Sequence, residues 1–220
     1  LIELDSHNNQ LTSLDVSNNT ALTTLDCRDN KLTSLDVSKN TALDYLHCAT
    51  NKLTSLDVSS NTNLTHLNCD GNQLTSLDVS KNTALKLLMC SRNQLTSLDV
   101  SSNTVLKELQ VDGNQLTSLN MRNGVTDLLT YFNATNNPNL TCIEVLDPDW
   151  ATANWTSAKE NIDAGVTFTY ICGVDVDGVS TYNNNGIKAI TFNVELPTHS
   201  LPDTDISLGF WKSGAENHEC

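Results

Sequence analysis

Cysteines recur at a fixed interval in this chain: Cys27, Cys48, Cys69 and Cys90 stand 21 residues apart. Thiols can ligate metals or exchange disulfides, so the spacing has to be weighed. Zinc-binding cysteines come in close pairs of the C-x-x-C kind, and none of these four is so placed. Further along, Val111 and Ala134 fill the same column. A buried cysteine packs as a small hydrophobe. The column is therefore core, with reduced thiols side by side rather than facing one another. Asp15, Asp36, Asp57, Asp78 and Asp99 form a second column that ends in Asn120. Stacked carboxylates repel one another, and calcium at this column is the alternative that carboxylates allow. The simpler role is acceptance of hydrogen bonds from Ser, Thr or backbone N–H groups of the same turn, so no cofactor and no metal is expected. The DVDG of Asp175–Gly178 lacks the later acidic ligands of a calcium loop. No His–Ser–Asp or paired-carboxylate constellation recurs at a usable spacing, so the chain is not expected to be an enzyme.

The columns exist because the chain is periodic. With position 1 set at Leu1, Leu recurs at positions 1, 4 and 11 of six consecutive 21-residue repeats that cover residues 1–126. Asn9, Asn30, Asn51, Asn72, Asn93 and Asn114 hold position 9. The first half-repeat is L-x-x-L-x-C-x-x-N-x-L, and a degenerate seventh copy with a two-residue insertion follows near LTYFNATNNPNL. Inward residues at positions 1, 4 and 6 predict a short strand that stacks in parallel on its copies about 4.8 Å away. The Asn amide then satisfies the backbone groups of a buried turn once per repeat. Gly71 and Gly113 at position 8 suit that turn. In the second half, Leu14 and Val16 point in while Ser13, Asp15 and Ser17 point out, a short strand or extended turn. A full helix does not fit in what remains of the repeat.

This pattern resembles the leucine-rich-repeat family over about two thirds of the chain. The cysteine at position 6 is similar to the cysteine-ladder subclass known among internalin-like bacterial surface and secreted proteins. The resemblance implies a mostly β solenoid with a parallel sheet on its concave side and short strands or turns on its convex side. It also implies an extracellular, secreted or cell-surface location. Cys142 and Cys172 flank a segment that looks like the C-terminal cap of this subclass, which implies a disulfide between them. Such a bond contributes about 3–4 kcal/mol. LPDTD at 201–205 is similar to a sortase signal, but Asp205 stands where Gly is required. The expected domains are a solenoid over 1–140, a cap over 141–172, and a β-rich tail or start of a further module over 173–220.

The frame positions are fixed and positions 2, 3, 5, 7 and 8 vary, all of them expected on the outward side of the first strand. Solenoids present such a face to partners. Tyr45, Leu87 and Met89 are apolar there, where a purely solvated sheet has little use for them. The expected contact patch is Tyr45, His47, His66, Asn68, Leu87, Met89 and Arg92. Its partner is a protein or a glycan, and the function an extracellular binding or adhesion module. The net charge of −14 argues against nucleic acid and anionic membrane. No stretch is apolar enough for membrane insertion. The alternative is a structural subunit of an extracellular filament or oligomer, assembled through the uncapped first repeat at Leu1 and the 173–220 tail. GIKAITFNVEL and TDISLGFW are expected strands in that tail. Of seven cysteines, Cys220 is left over.

Overall fold

A computed structural model describes residues 1–172, and the backbone of 180–184 and 187–191. Cys220, DVDG, LPDTD and TDISLGFW lie outside the described residues. The chain divides into two compact units, Leu1–Gly173 and Val174–Cys220.

The first unit is a parallel β-solenoid. Its strands in chain order are β1 (Glu3–Asp5), β2 (Thr24–Asp26), β3 (Tyr45–His47), β4 (His66–Asn68), β5 (Leu87–Met89), β6 (Ser97–Asp99), β7 (Glu108–Gln110), β8 (Ser118–Asn120), β9 (Tyr131–Asn133), β10 (Cys142–Glu144) and β11 (Thr167–Thr169). Seven of them form one sheet in the order β1-β2-β3-β4-β5-β7-β9, every pair parallel. The register is residue on equivalent residue, so Leu25, Leu46, Leu67, Leu88 and Leu109 stack directly, all at 0% exposure. From the second repeat on, the position-1 and position-11 leucines join them in the core, as do the valines of each LDV. Full burial of one such side chain is worth about 1.5–3 kcal/mol, and stacking is the only way a three-residue strand can obtain it.

Cys27, Cys48, Cys69 and Cys90 are buried and free, as the column requires. Burial pushes the Cys27 thiol up to about 12 and raises those of Cys48, Cys69 and Cys90 as well. These are packing groups without thiolate character.

The position-9 asparagines tie each rung to the one before it. Asn72 Nδ2 lies 3.1 Å from Cys48 O, 3.0 Å from Cys69 O and 3.3 Å from Asp70 O, and donates to all three. Its Oδ1 accepts from Leu53 N–H at 3.0 Å. Asn30, Asn51, Asn93 and Asn114 repeat this pattern, and Asn137 extends it into the seventh rung. A second ladder was not expected from the sequence. Asn40, Asn61, Asn82 and Asn103 are wholly buried in the S-x-N-T turn. Asn61 Nδ2 donates to Val37 O at 3.0 Å and to Asn40 O at 2.9 Å, and the others do the same one rung along. On the outer side, each column Asp accepts from the N–H two residues on, as in Ser59 N to Asp57 Oδ1 at 2.9 Å. Hydrogen bonds from the serine two residues on, its N–H leading for Asp15, Asp36 and Asp78 and its side chain for Asp57, hold these carboxyls below their ordinary pKa.

The second half-repeats are strands only toward the C-terminal end, where β6, β8, β10 and β11 form a second parallel sheet. Beyond it the solenoid is closed. Asp147 caps helix α1 (Pro148–Asn154) by accepting from Trp150 N–H. Trp155 packs on Phe132 with ring centroids 4.3 Å apart, and on Phe168 at 5.8 Å. Asn161 O takes the N–H of Ala134 at 2.7 Å, where a further rung would have supplied the carbonyl. Asp163 accepts from Asn136 and Asn137 N–H at 2.9 and 2.8 Å. The Cys142–Cys172 disulfide closes this segment, with Cα atoms 5.9 Å apart. In the second unit, β12 (Ser180–Asn184) pairs antiparallel with β13 (Ile187–Thr191), the latter within the expected GIKAITFNVEL strand.

Candidate functional site

Two side-chain rows cross the outer face of the seven-stranded sheet. One runs Glu3, Thr24, Tyr45, His66, Leu87, Glu108, Tyr131. The other runs Asp5, Asp26, His47, Asn68, Met89, Gln110, Asn133. Alternation along each strand puts both rows on one side because the leucine between them faces the core. The sequence-chosen residues Tyr45, His66, Asn68, Leu87 and Met89 thus sit together on β3, β4 and β5, all half-buried. The Tyr45 and His66 rings lie 5.8 Å apart, tilted by 36°. Asn68 Nδ2 stands 3.5 Å from Met89 Sδ.

Two chosen residues are placed differently. His47 is 9% exposed and forms the floor of the patch more than its surface. Arg28 Nη1 lies 3.2 Å from His47 Nδ1, and a guanidinium only donates, so that nitrogen accepts and carries no proton. Burial holds the His47 pKa below its ordinary value, against the pull of Asp26. Arg92 lies off the strands, on the turn after β5, with its side chain 71% exposed.

Position 7 departs from the expected outward placement. Ala49, Asp70 and Ser91 are buried, because successive turns stack there as closely as the strands do. Asp70 Oδ1 accepts from Ser91 N–H at 2.6 Å, and Ser91 Oγ donates to Asp112 Oδ1 at 2.6 Å. Burial raises the Asp70 pKa above its ordinary value.

Toward β1 the face is charged. His7 Nδ1 bonds Asp5 Oδ1, and this bond leads the causes that hold Asp5 below its ordinary pKa. Among the described residues, Asp5, His7 and Asp26 bring donor atoms within 4.8 Å of one another. A protein cation is already at hand, since Arg28 Nη1 lies 3.4 Å from Asp26 Oδ2. Toward the cap, Tyr131 is 47% exposed and extends the face by a seventh rung that the sequence reading left out. Its signal was present in the degenerate repeat. Tyr131, Asn133, Asn136, Lys159 and Glu160 line a cleft of about 430 Å³ there.

Stacked short parallel strands, an asparagine ladder and a buried cysteine column define this unit as a leucine-rich-repeat solenoid in fold. Its cysteine ladder has a counterpart in the functional domain of InlJ from Listeria monocytogenes, which is 39% identical with a TM-score of 0.51. That match covers 66% of this chain and 39% of the InlJ chain. Internalin C2 of Listeria monocytogenes matches at 23% identity and TM-score 0.57, over 77% of this chain and 71% of its own. The leucine-rich-repeat ectodomain of the Arabidopsis thaliana receptor kinase GASSHO1/SCHENGEN3, in complex with CASPARIAN STRIP INTEGRITY FACTOR 2, matches at 23% and 0.60, over 76% of this chain and 21% of its own. The latter two share the fold. The chain spans less than half the length of the InlJ structure. No protein-family model and no curated protein sequence matches it.

Proposed function

We propose that this chain is an extracellular binding module, not an enzyme, and that it holds a protein partner on the outer face of its seven-stranded sheet. Tyr45, His66, Asn68, Leu87, Met89 and Arg92 make the contact, and His47 supports Tyr45 from below. One observation carries the reading: a contiguous patch of aromatic and aliphatic side chains on β3, β4 and β5 interrupts a mostly polar face whose carboxylates are Glu3, Asp5, Asp26 and Glu108. Interfaces concentrate their energy in such anchors, with a polar rim around them. Leu87 and Met89 favour a protein over a glycan, because aliphatic side chains gain most from apolar side chains opposite. The extracellular setting and an adhesive role are part of the same proposal, extended from the internalin-like cysteine-ladder pattern that the chain shares with InlJ.

The test is a screen of the purified chain against arrays of extracellular protein domains, with a glycan array alongside. A Tyr45→Ser, Leu87→Ser, Met89→Ser variant is expected to keep its thermal transition and to lose at least tenfold in affinity for any protein hit, about 1.4 kcal/mol or more. Equal binding of a protein hit by both forms overturns the reading, as do hits confined to glycans.

A further inference from the structure

Position 8 is left-handed in all seven rungs, with φ of 54° at Asn8, 54° at Asp29, 52° at Thr50, 62° at Gly71, 51° at Arg92, 65° at Gly113 and 56° at Asn136. Gly, Asn and Asp tolerate that conformation, and five rungs carry one of them. Thr50 and Arg92 do not belong to that set. Backbone strain of this kind clusters at binding and catalytic sites, so each such residue invites a look at its side chain.

The surroundings of Arg92 indicate a use for its side chain. On the neighbouring rungs Gly71 and Gly113 have no side chains, and a Cβ on Gly113 would meet Arg92 Cγ at 3.4 Å. No side chain at position 8 of the flanking rungs therefore covers the guanidinium, which is 71% exposed as a side chain on the rim. Its one ion pair among the described residues is with Asp70, whose Oδ2 lies 3.8 Å from Nη2, beyond hydrogen-bond distance, while Oδ1 accepts from Ser91 N–H. Most of its five N–H donors are free. The charge of its rung is also singular. The exposed and half-buried variable positions of the fifth repeat carry Lys86, Leu87, Met89 and Arg92, two cations and no acid. The first, second, third and sixth repeats each carry exposed or half-buried acids at these positions, as with Asp26, Arg28 and Asp29 in the second, while the one acid of the fourth, Asp70, is buried. Apolar surface and a free cationic fork coincide on this rung, and Arg forks bind carboxylates bidentately.

We propose that Arg92 captures a carboxylate of the partner, an Asp or Glu side chain in a peptide segment whose adjoining apolar residue seats on Leu87 and Met89. The inference rests on the binding reading above and adds the chemistry of the ligand. The acids Asp44 of the third rung and Glu108 of the sixth then help set its register, since a carboxylate is accepted at rung five and repelled toward them.

A random-peptide phage library is the probe, selected in parallel on the wild type, on Arg92→Gly, on Arg92→Lys and on the Tyr45→Ser, Leu87→Ser, Met89→Ser variant. Wild-type selection is expected to enrich Asp or Glu within a few residues of an aliphatic or aromatic residue. Arg92→Gly is expected to keep the apolar enrichment, lose the acidic one, and unfold at the same or a higher temperature. In a selected synthetic peptide, Glu→Gln should weaken wild-type binding about tenfold and leave Arg92→Gly binding unchanged. Apolar enrichment without an acidic residue, or acidic enrichment that survives Arg92→Gly, overturns the carboxylate assignment and leaves the face standing. Enrichment on the wild type no greater than on the triple variant overturns both.

Discussion

His47 belongs to the face and to the floor beneath it. Its ring neighbours Tyr45, with centroids 6.3 Å apart, and its Nδ1 accepts from Arg28. Protonation would place a cation against that guanidinium in a site with little water, and Asp26 at 3.7 Å only partly offsets this. The folded ring therefore binds a proton less readily than the unfolded one, whose pKa is about 6.5. As pH falls through about 6.5 the unfolded chain takes up the proton first, so stability is present above that value and is lost on acidification below it. Melting temperature at pH 7.5 and at pH 5.5, for the wild type and for His47→Gln, checks this. A larger acid-induced drop is expected in the wild type, and equal drops contradict it. At this scale the sequence was legible where alternation applies: the two outward rows follow from the strand period. It was not legible where the chain leaves the strand. Ala49, Asp70 and Ser91 vary like surface residues yet are buried by the turn of the next rung, and the left-handed backbone of Thr50 and Arg92 breaks the residue preference that would reveal it.

At the scale of the element, the turn after each strand is made by one amide. Asn72 makes four hydrogen bonds across two rungs, all to groups with no access to water. Each orphaned buried group costs about 1–3 kcal/mol, so Asn72→Ala is expected to lose at least 3 kcal/mol. Asn9, on the exposed first rung, bonds only Ser6 O and His7 O, and Asn9→Ala should cost under about 1 kcal/mol. Chemical denaturation of the two variants checks the contrast, and comparable losses would show that the ladder is not what holds the turns. The position-9 ladder was readable because a lone amide recurs beside a leucine frame. The ladder of Asn40, Asn61, Asn82 and Asn103 was not, because Asn next to Thr has the composition of any exposed turn. The outer strands show the same limit. LTSLDV is identical at 53–58, 74–79 and 95–100, yet only the last contains a strand. What differs is the neighbour: Val100 N–H finds Asn120 O at 2.9 Å, and β8 pairs in turn with β10.

For the solenoid unit as a whole, the cap decides where stacking ends. Repeat stacks unfold from unprotected ends because each rung is held mainly by its neighbours. Here Asn161 O and the Asp163 carboxylate satisfy the N–H groups of Ala134, Asn136 and Asn137 that the last rung would otherwise leave bare. Trp155, Phe132 and Phe168 cover the apolar end. The helix within this cap was announced by Asp147-Pro148, an N-cap residue followed by proline at the first helical position, a signal the repeat pattern overshadowed. The disulfide ties both ends of the segment, so its loss should be felt at this end first. Cys142→Ser with Cys172→Ser is expected to cost about 3 kcal/mol and to separate two transitions. Fluorescence of the cap tryptophans should change before the far-ultraviolet signal of the stack. The four ladder thiols should stay closed to iodoacetamide through the first transition and react in the second, since only unstacking exposes them. A single coincident transition would mean that the cap and the rungs form one cooperative body. Labelling of Cys90 before Cys27 would still place the weak point at the capped end, and the reverse order would move it to the first rung.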